Sequence, residues 1–161
     1  YLKIAHLNID SLSSHFGNLR TFLSSNFFHV LTLVETHLKP TMSNDNFEIP
    51  DFSLHRFDRS DGKKGGIAVF CHISFEFSLL CQSPENSQLE YMFFELRSKS
   101  EKFLLCSLYR HPHAAFGGQF EEDFLSLYPI YRNVILSGDF NVNFNEHRNS
   151  DDKRFLINFI S

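Results

Sequence analysis

Four short apolar runs stand one behind another between Gly66 and Arg110: "GIAVFCHI", "FEFSLL", "LEYMFFEL" and "KFLLCSLYR". Runs of this length, rich in Val, Ile and Phe and separated by turn-prone stretches such as "QSPENSQ", read as strands. A block of consecutive strands favours a sandwich over a doubly wound sheet. On either side of the block the period changes. "YLKIAHLNI" alternates as a strand, with Leu2, Ile4 and His6 on one side. Leu12, Phe16, Leu19 and Leu23 then recur at helical spacing behind Ser11, a suitable cap. "FHVLTLVE" (Phe28 to Glu35) reads as a buried strand. Downstream, "FEEDFLSLY" reads as a helix, "NVILSGD" as a strand and "DDKRFLINFI" as a helix. Lys39 to Gly66 reads as a polar excursion punctuated by Pro and Gly, with a short strand near Phe52 to Arg56. The order predicts an α/β (α+β) sandwich in one domain over residues 1–161, a length sufficient for a substantial core.

The 20 Phe and no Trp make that core Phe-rich. No run is long enough to cross a bilayer, so no membrane partner is expected. Cys71, Cys81 and Cys106 have neither the count of a disulfide framework nor the spacing of a zinc site, which fits a reducing, intracellular setting. A formal charge of −4 is not that of a protein holding nucleic acid by bulk positive charge. It leaves room for an enzyme whose carboxylates hold a cation that meets a phosphate.

Three of the strands end in residues that carry chemistry: Asn8 and Asp10 in "LNID", Glu35 in "LVETHL", and Asp139 and Asn141 in "SGDFN". Sites in open α/β sheets form beyond the carboxyl ends of strands. Residues two apart on an extended chain project to one side, so Asn8 with Asp10, and Asp139 with Asn141, can each offer two side chains to one place. Carboxylate oxygens are hard ligands of the kind Mg²⁺ takes. An Asn amide donates to a phosphoryl oxygen without adding negative charge. Any one of these residues alone is a turn former or a solvated strand end. Together they suit metal-assisted attack on a phosphate ester.

"HLNIDSL", "LVETHL", "FEIPDFSLHRFDRSDGKKGGIAVF", "LEYMFFEL", "LYRHPH" and "ILSGDFNVNF", in that order and over nearly the whole chain, resemble the endonuclease/exonuclease/phosphatase family. The "ETHL" form, the segment Ile49 to Gly66 and "YRHPH" before "GDFN" are most similar to the endonuclease domain of non-LTR retrotransposons. The resemblance implies a four-layer sandwich of two facing mixed sheets with outer helices, and Mg²⁺-dependent (or Mn²⁺-dependent) hydrolysis of phosphodiesters. It implies nicking of a target DNA duplex in the nucleus, to prime a reverse transcriptase carried in the same polyprotein.

By the same resemblance Glu35 is the main metal ligand, Asn8 and Asp10 line the metal and phosphate site, and Asp139 orients or deprotonates the attacking water. Asn141 stabilises charge on the phosphoryl oxygens, Tyr109 hydrogen-bonds the phosphate, and Glu90 is a supporting acid. Arg110 reads as a surface or DNA-backbone contact, and Lys63 and Lys64 as solvated lysines of a tight turn beside that backbone. His111 and His113 flank Pro112 like a chelating pair, but loop histidines are common.

One departure stands out. Family members end in a Ser-Asp-His type motif, and no such tripeptide occurs here; His147 does not match its histidine. The chain is therefore expected to be an incomplete domain, missing its C-terminal strands, with impaired hydrolysis and an unpaired sheet edge. The alternatives are a catalytically inactive remnant acting as a binding module, and an abasic-site endonuclease or phosphatase of the same family.

Overall fold

The structure is a computed structural model describing residues 1–112, 114–143 and 151–160. Two four-stranded mixed sheets face each other. The first holds β1 (Ile4–Asn8), β2 (Val30–Val34), β3 (Phe52–Phe57) and β4 (Ile67–His72), in the order β1-β2-β4-β3. The second holds β5 (Glu76–Gln82), β6 (Leu89–Arg97), β7 (Lys102–Arg110) and β8 (Asn133–Asp139), in sequential order. In each sheet one pair is parallel and joined through a helix: β1 to β2 through α1 (Leu12–Ser25), and β7 to β8 through α2 (Gln119–Leu127). The remaining pairs are antiparallel. A third helix, α3, spans Asp151–Ile160.

The continuous apolar runs have a simple cause: both faces of each central strand are covered. Val30 and Val34 of β2, Ile67, Val69 and Cys71 of β4, Met92, Phe94 and Leu96 of β6, and Leu105 and Tyr109 of β7 fill the space between the sheets. The alternate residues face outward. Leu31, Leu33, Ala68 and Phe70 pack with Leu12 and Leu19 of α1, and Tyr91, Phe93, Leu104 and Cys106 pack with Phe120 and Phe124 of α2. The layers are thus helix, sheet, sheet, helix: the sandwich that the element order favours, in the four layers that the resemblance implies. Ser11 caps α1, its hydroxyl accepting from the Ser14 N–H at 3.4 Å.

The Lys39–Gly66 excursion is tied back by Arg56. Its guanidinium pairs with Asp58 and donates to the carbonyls of Met42 and Lys39 at 2.9 and 3.0 Å. The short strand expected near Phe52 is β3, an edge of the first sheet. Among the described residues β1 and β8 each pair with one strand and form the other two edges that matter here. No helix among the described residues is long and apolar enough to cross a membrane.

Candidate active site

Strand register sets the site. Glu90 on β6 lies opposite Tyr109 on β7, and Tyr109 opposite Asp139 on β8, giving one row across the second sheet. Tyr109 faces inward, so by the pleat its row neighbours do too. On the first sheet Asn8 is opposite Val34, whose side chain also faces inward. The chain then turns to place Glu35 at the same end of the sandwich. The β7–β8 pairing is close at this end. A Cβ on Gly138 would sit 1.9 Å from the carbonyl oxygen of Leu108, so only glycine fits between the paired strands just before Asp139.

Four side chains from four strand ends meet here. Asn8 Nδ2 donates to Glu35 Oε1 at 2.8 Å and, at a long 3.5 Å, to Asp139 Oδ2. The other end of the same amide accepts the Asp10 N–H at 3.3 Å, which orients its nitrogen toward the two acids. Tyr109 donates its hydroxyl to Glu35 Oε1 at 3.0 Å. Burial, then the hydrogen bond to Glu35 and its charge, push the Tyr109 phenol well above the ordinary tyrosine range, so it remains a donor. Below this layer, His6 Nδ1 contacts Thr32 Oγ1 at 3.0 Å, and Thr32 Oγ1 contacts Ser137 Oγ at 2.8 Å, joining the sheets. Burial lowers the His6 pKa, and the nearby Asp139 charge partly offsets that.

With Oε1 of Glu35 engaged twice, Oε2 turns to His37, whose Nε2 is 3.7 Å away and is a buried polar atom with no hydrogen-bond partner. Asp10 Oδ1 lies 3.8 Å from His37 Nδ1. One ligand atom from each of Asp10, Glu35 and His37 falls within 4.8 Å of the others. Two carboxylates and an imidazole at that spacing match the donor set of a small divalent cation, and the unpartnered His37 nitrogen is the kind of atom a cation would satisfy. The residues present therefore fit a divalent cation.

The backbone around these groups is unusual. Of the seven non-glycine residues with positive φ among those described, Asp10, Ser11, Glu35, His37 and Asn141 lie at this end of the sandwich. Each such conformation costs about 1–3 kcal/mol, and such strain gathers at functional sites. At Asn141 it also corrects the expectation that residues two apart share a side. Asp10 and Asn141 are left-handed, not extended. Asp10 nevertheless stays at the site's edge with Glu35 and His37, its side chain 72% exposed and 3.8 Å from Lys64 Nζ. Asn141 turns back, donating its side-chain amide to the Arg110 carbonyl at 2.6 Å while its N–H caps Asp139 Oδ1 at 3.0 Å.

Arg110 is a second correction. It is 1% exposed and does not present a guanidinium to an external backbone. It donates to the carbonyls of Ala114, Phe140 and Asn141 at 2.6, 3.3 and 3.2 Å, pairs with Asp152 and stacks on Phe116. A charged side chain just after "LY" reads as surface in one dimension, whereas here it braces the "GDFN" loop. Lys63 and Lys64 are exposed, and Lys64 stands at the rim beside Asp10. Glu90 is fully buried and lies behind Tyr109, not among the candidate ligands. His111 Nε2 bonds Glu90 Oε1 at 3.0 Å; His113, the other half of the pair read from the sequence, and His147 lie outside the described residues. Sequence reasoning missed His37. The signal was its place two residues after Glu35 in "ETH".

No protein-family model matches the sequence, and no curated protein is significantly similar to it. Solved structures are similar in fold. The catalytic domain of human Nocturnin, with bound sulfate, superposes with a TM-score of 0.67 at 13% identity, over 90% of this chain and 65% of that one. The endonuclease domain of TRAS1, a telomere-specific non-LTR retrotransposon, superposes at 0.65 and 13% identity, over 99% of this chain and 70% of that one. The 3′ phosphatase NExo from Neisseria, bound to a product DNA hairpin, superposes at 0.62 and 14% identity, over 99% of this chain and 70% of that one. This chain thus spans about two thirds of the length of the structures it matches. The two-sheet sandwich described above is the fold of the endonuclease/exonuclease/phosphatase structures, the retrotransposon endonuclease domain among them.

Proposed function

We propose that this chain carries a divalent-cation-dependent phosphodiester-hydrolysing site that acts on duplex DNA in the manner of a retrotransposon endonuclease. The observation that carries the reading is the meeting of Asn8, Glu35, Tyr109 and Asp139 through hydrogen bonds between strands of two different sheets. Packing alone does not require two acids, an amide and a phenol at one point.

Asp10, Glu35 and His37 are the residues that would hold Mg²⁺ or Mn²⁺, which when bound would neutralise a phosphate and acidify water beside it. Asp139 accepts from Asn8 and from the Asn141 N–H, so its carboxylate is held in place to orient a water and take its proton. Asn8 and Tyr109 are fixed donors at the point where phosphoryl charge would grow. Exposed Lys64, beside Asp10, meets the flanking DNA backbone. Continuing that reading, the product is a nick whose 3′-hydroxyl primes a reverse transcriptase in the same polyprotein, in the nucleus.

The test is paired. Mn²⁺ titration of the protein is expected to show saturable binding that Glu35→Gln abolishes. Mg²⁺-dependent relaxation of supercoiled plasmid, expected to be slow without the family's Ser-Asp-His type motif, should disappear in Asp139→Ala. Release of phosphate from a 3′-phosphorylated oligonucleotide without nicking would move the assignment to the phosphatases of this fold. Metal and DNA binding without any hydrolysis would make the chain a binding module. Absence of metal binding sinks the proposal.

A further inference from the structure

Behind the candidate site lies a buried ionic cluster for which hydrolysis, as described so far, has no use. Glu90 is 0% exposed, yet its carboxylate makes three hydrogen bonds. Oε1 accepts from Arg59 Nη1 at 2.8 Å and His111 Nε2 at 3.0 Å, and Oε2 accepts from the Gly66 N–H at 2.7 Å. Arg59 is itself saturated. Its five N–H groups go to Glu90, to Asp61 twice (2.9 and 2.6 Å), and to the carbonyls of Ser87 (2.7 Å) and Asn86 (3.2 Å). A buried ion pair is weak support for stability, because desolvation offsets most of the attraction. What this cluster holds is therefore more informative than its strength.

It holds the backbone that carries Glu35. Glu90 belongs to the second sheet, and Gly65–Gly66 lead into β4 of the first. The carboxylate packs directly on this pair: a Cβ on Gly65 would be 2.3 Å from Glu90 Oε1, and the Gly66 N–H donates to Oε2 at 2.7 Å. The carbonyls of the two glycines receive the N–H groups of the two residues that follow Glu35, Gly66 from Thr36 at 3.3 Å and Gly65 from His37 at 2.9 Å. The chain is left-handed at Glu35 (φ 53°), immediately before the first of these bonds, and again at His37 (φ 51°), which makes the second. A second route runs through side chains. His111, bonded to Glu90, packs edge-on against Tyr109 with ring centres 4.7 Å apart, and Tyr109 donates to Glu35.

We propose that Glu90, clamped by Arg59 and His111, is a positioning residue: it anchors the Gly65–Gly66 turn and thereby sets the left-handed Glu35–His37 segment, so that Glu35 Oε2 and His37 Nε2 face each other. The cation-site half of this claim rests on the hydrolase reading above; the backbone half does not. The buried acid does not touch the cation or the phosphate. It transmits the spacing between the sheets to the ligands.

Two double variants that differ at one side chain test it. Arg59→Met with Glu90→Leu removes both charges together and leaves no acceptor for Gly66. Arg59→Met with Glu90→Gln also removes both charges but keeps an amide oxygen there. Amide hydrogen exchange of Thr36, His37 and Gly66 is read by NMR, alongside Mn²⁺ affinity and melting temperature. The Leu variant is expected to lose protection at these three amides selectively and to bind Mn²⁺ about 10- to 100-fold more weakly, the usual effect of removing an outer-shell partner. The Gln variant is expected to retain both. Equal protection and equal affinity in the two variants, or losses that only follow melting temperature, would overturn the proposal. Should the Leu variant not fold, the unsubstituted protein decides. A Gly66 amide that is shifted downfield and exchanges only on global unfolding supports the anchor, and one that exchanges freely refutes it. An unsubstituted protein that binds no Mn²⁺ defeats the hydrolase reading and leaves amide protection to judge the positioning of Glu35.

Discussion

Tyr109 and Glu35 join the two sheets by a single hydrogen bond, phenol to carboxylate, at 3.0 Å. Tyr109 ends a strand of the second sheet, and Glu35 follows a strand of the first. Tyr109→Phe removes the donor and leaves the ring packing intact. A hydrogen bond to a charged group contributes about 1.5–3 kcal/mol, so urea unfolding should show a loss toward the lower end of that range, since Glu35 keeps Asn8. Mn²⁺ affinity should fall about tenfold as Glu35 gains rotational freedom. Unchanged metal affinity would mean that the phenol is only a core residue.

Gly138 is a packing test of the strand that carries Asp139. Its added Cβ would meet backbone, the Leu108 oxygen at 1.9 Å, which cannot swing aside as a side chain would. Gly138→Ala should lower stability by about 3 kcal/mol, the upper end of overpacking effects, and should move Asp139 away from Asn8. Thermal unfolding reads the first effect and plasmid nicking the second. A variant as stable as the parent would show that β7 and β8 separate there at little cost.

His6 reports on Asp139. Burial lowers its pKa and the Asp139 charge raises it in part. Asp139→Asn should therefore lower the His6 pKa further, measured from the imidazole carbon-bound protons by NMR. The sign for stability follows. A depressed histidine is neutral in the fold and protonates first in the unfolded chain, so stability present above pH 6.5 is lost as pH falls through the folded value. His55, lowered by burial, acts in the same direction.

The extremes of pH have separate causes. Hydrogen bonds from Arg59 hold Asp61 down to about 2 from 3.8, so its contribution is present above about pH 4 and lost as pH falls through 2. At the other end, burial and then Glu95 push Tyr131 up to about 12, and burial pushes Cys71 up to about 12. These groups ionise first in the unfolded chain, so stability should decline above about pH 9 to 10 and be lost by 12. Circular dichroism melts across pH 2 to 12 would test both arms. A flat acid limb down to pH 2 in the parent, or an unchanged one in Asp61→Asn, would contradict the first.

Lys64 and Arg110 should behave as opposites. Exposed Lys64 sits 3.8 Å from Asp10, so Lys64→Ala should weaken DNA binding with little effect on folding and reduce the salt slope by about 1. Arg110→Met strips donors from three carbonyls and should cost about 3 kcal/mol of stability. If Arg110 instead changed DNA affinity at constant stability, its role as an internal brace would be wrong.

Most elements were legible because local chemistry dictates them. The run "GIAVFCHI", short, rich in β-branched residues and preceded by glycine, reads as a strand covered on both faces, and the spacing Leu12, Phe16, Leu19, Leu23 reads as one helical stripe. Legibility stopped where the chain leaves the extended state. Asn141 is expected to point with its strand, but at φ 48° it turns back to the Arg110 carbonyl, and nothing in a one-dimensional pattern announces that torsion. Arg110 was expected outside because Arg usually is. It is buried because three loop carbonyls converge on it, a fact of tertiary packing.

Periodicity and side-chain type were enough to set the strands and helices, the Phe-rich core and the polar residues at the strand ends. Tertiary structure alone decided which strand ends meet. Asn8 and Asp139 are 131 residues apart and lie within 3.5 Å because the registers of β1 with β2 and of β7 with β8 bring two sheet edges together. Likewise only the facing of the sheets could turn Glu90 from a strand residue into the buried acid beneath Gly66. The physical reason is common to both cases: hydrogen-bond register and inter-sheet packing are long-range quantities, and no local stretch of chain contains them.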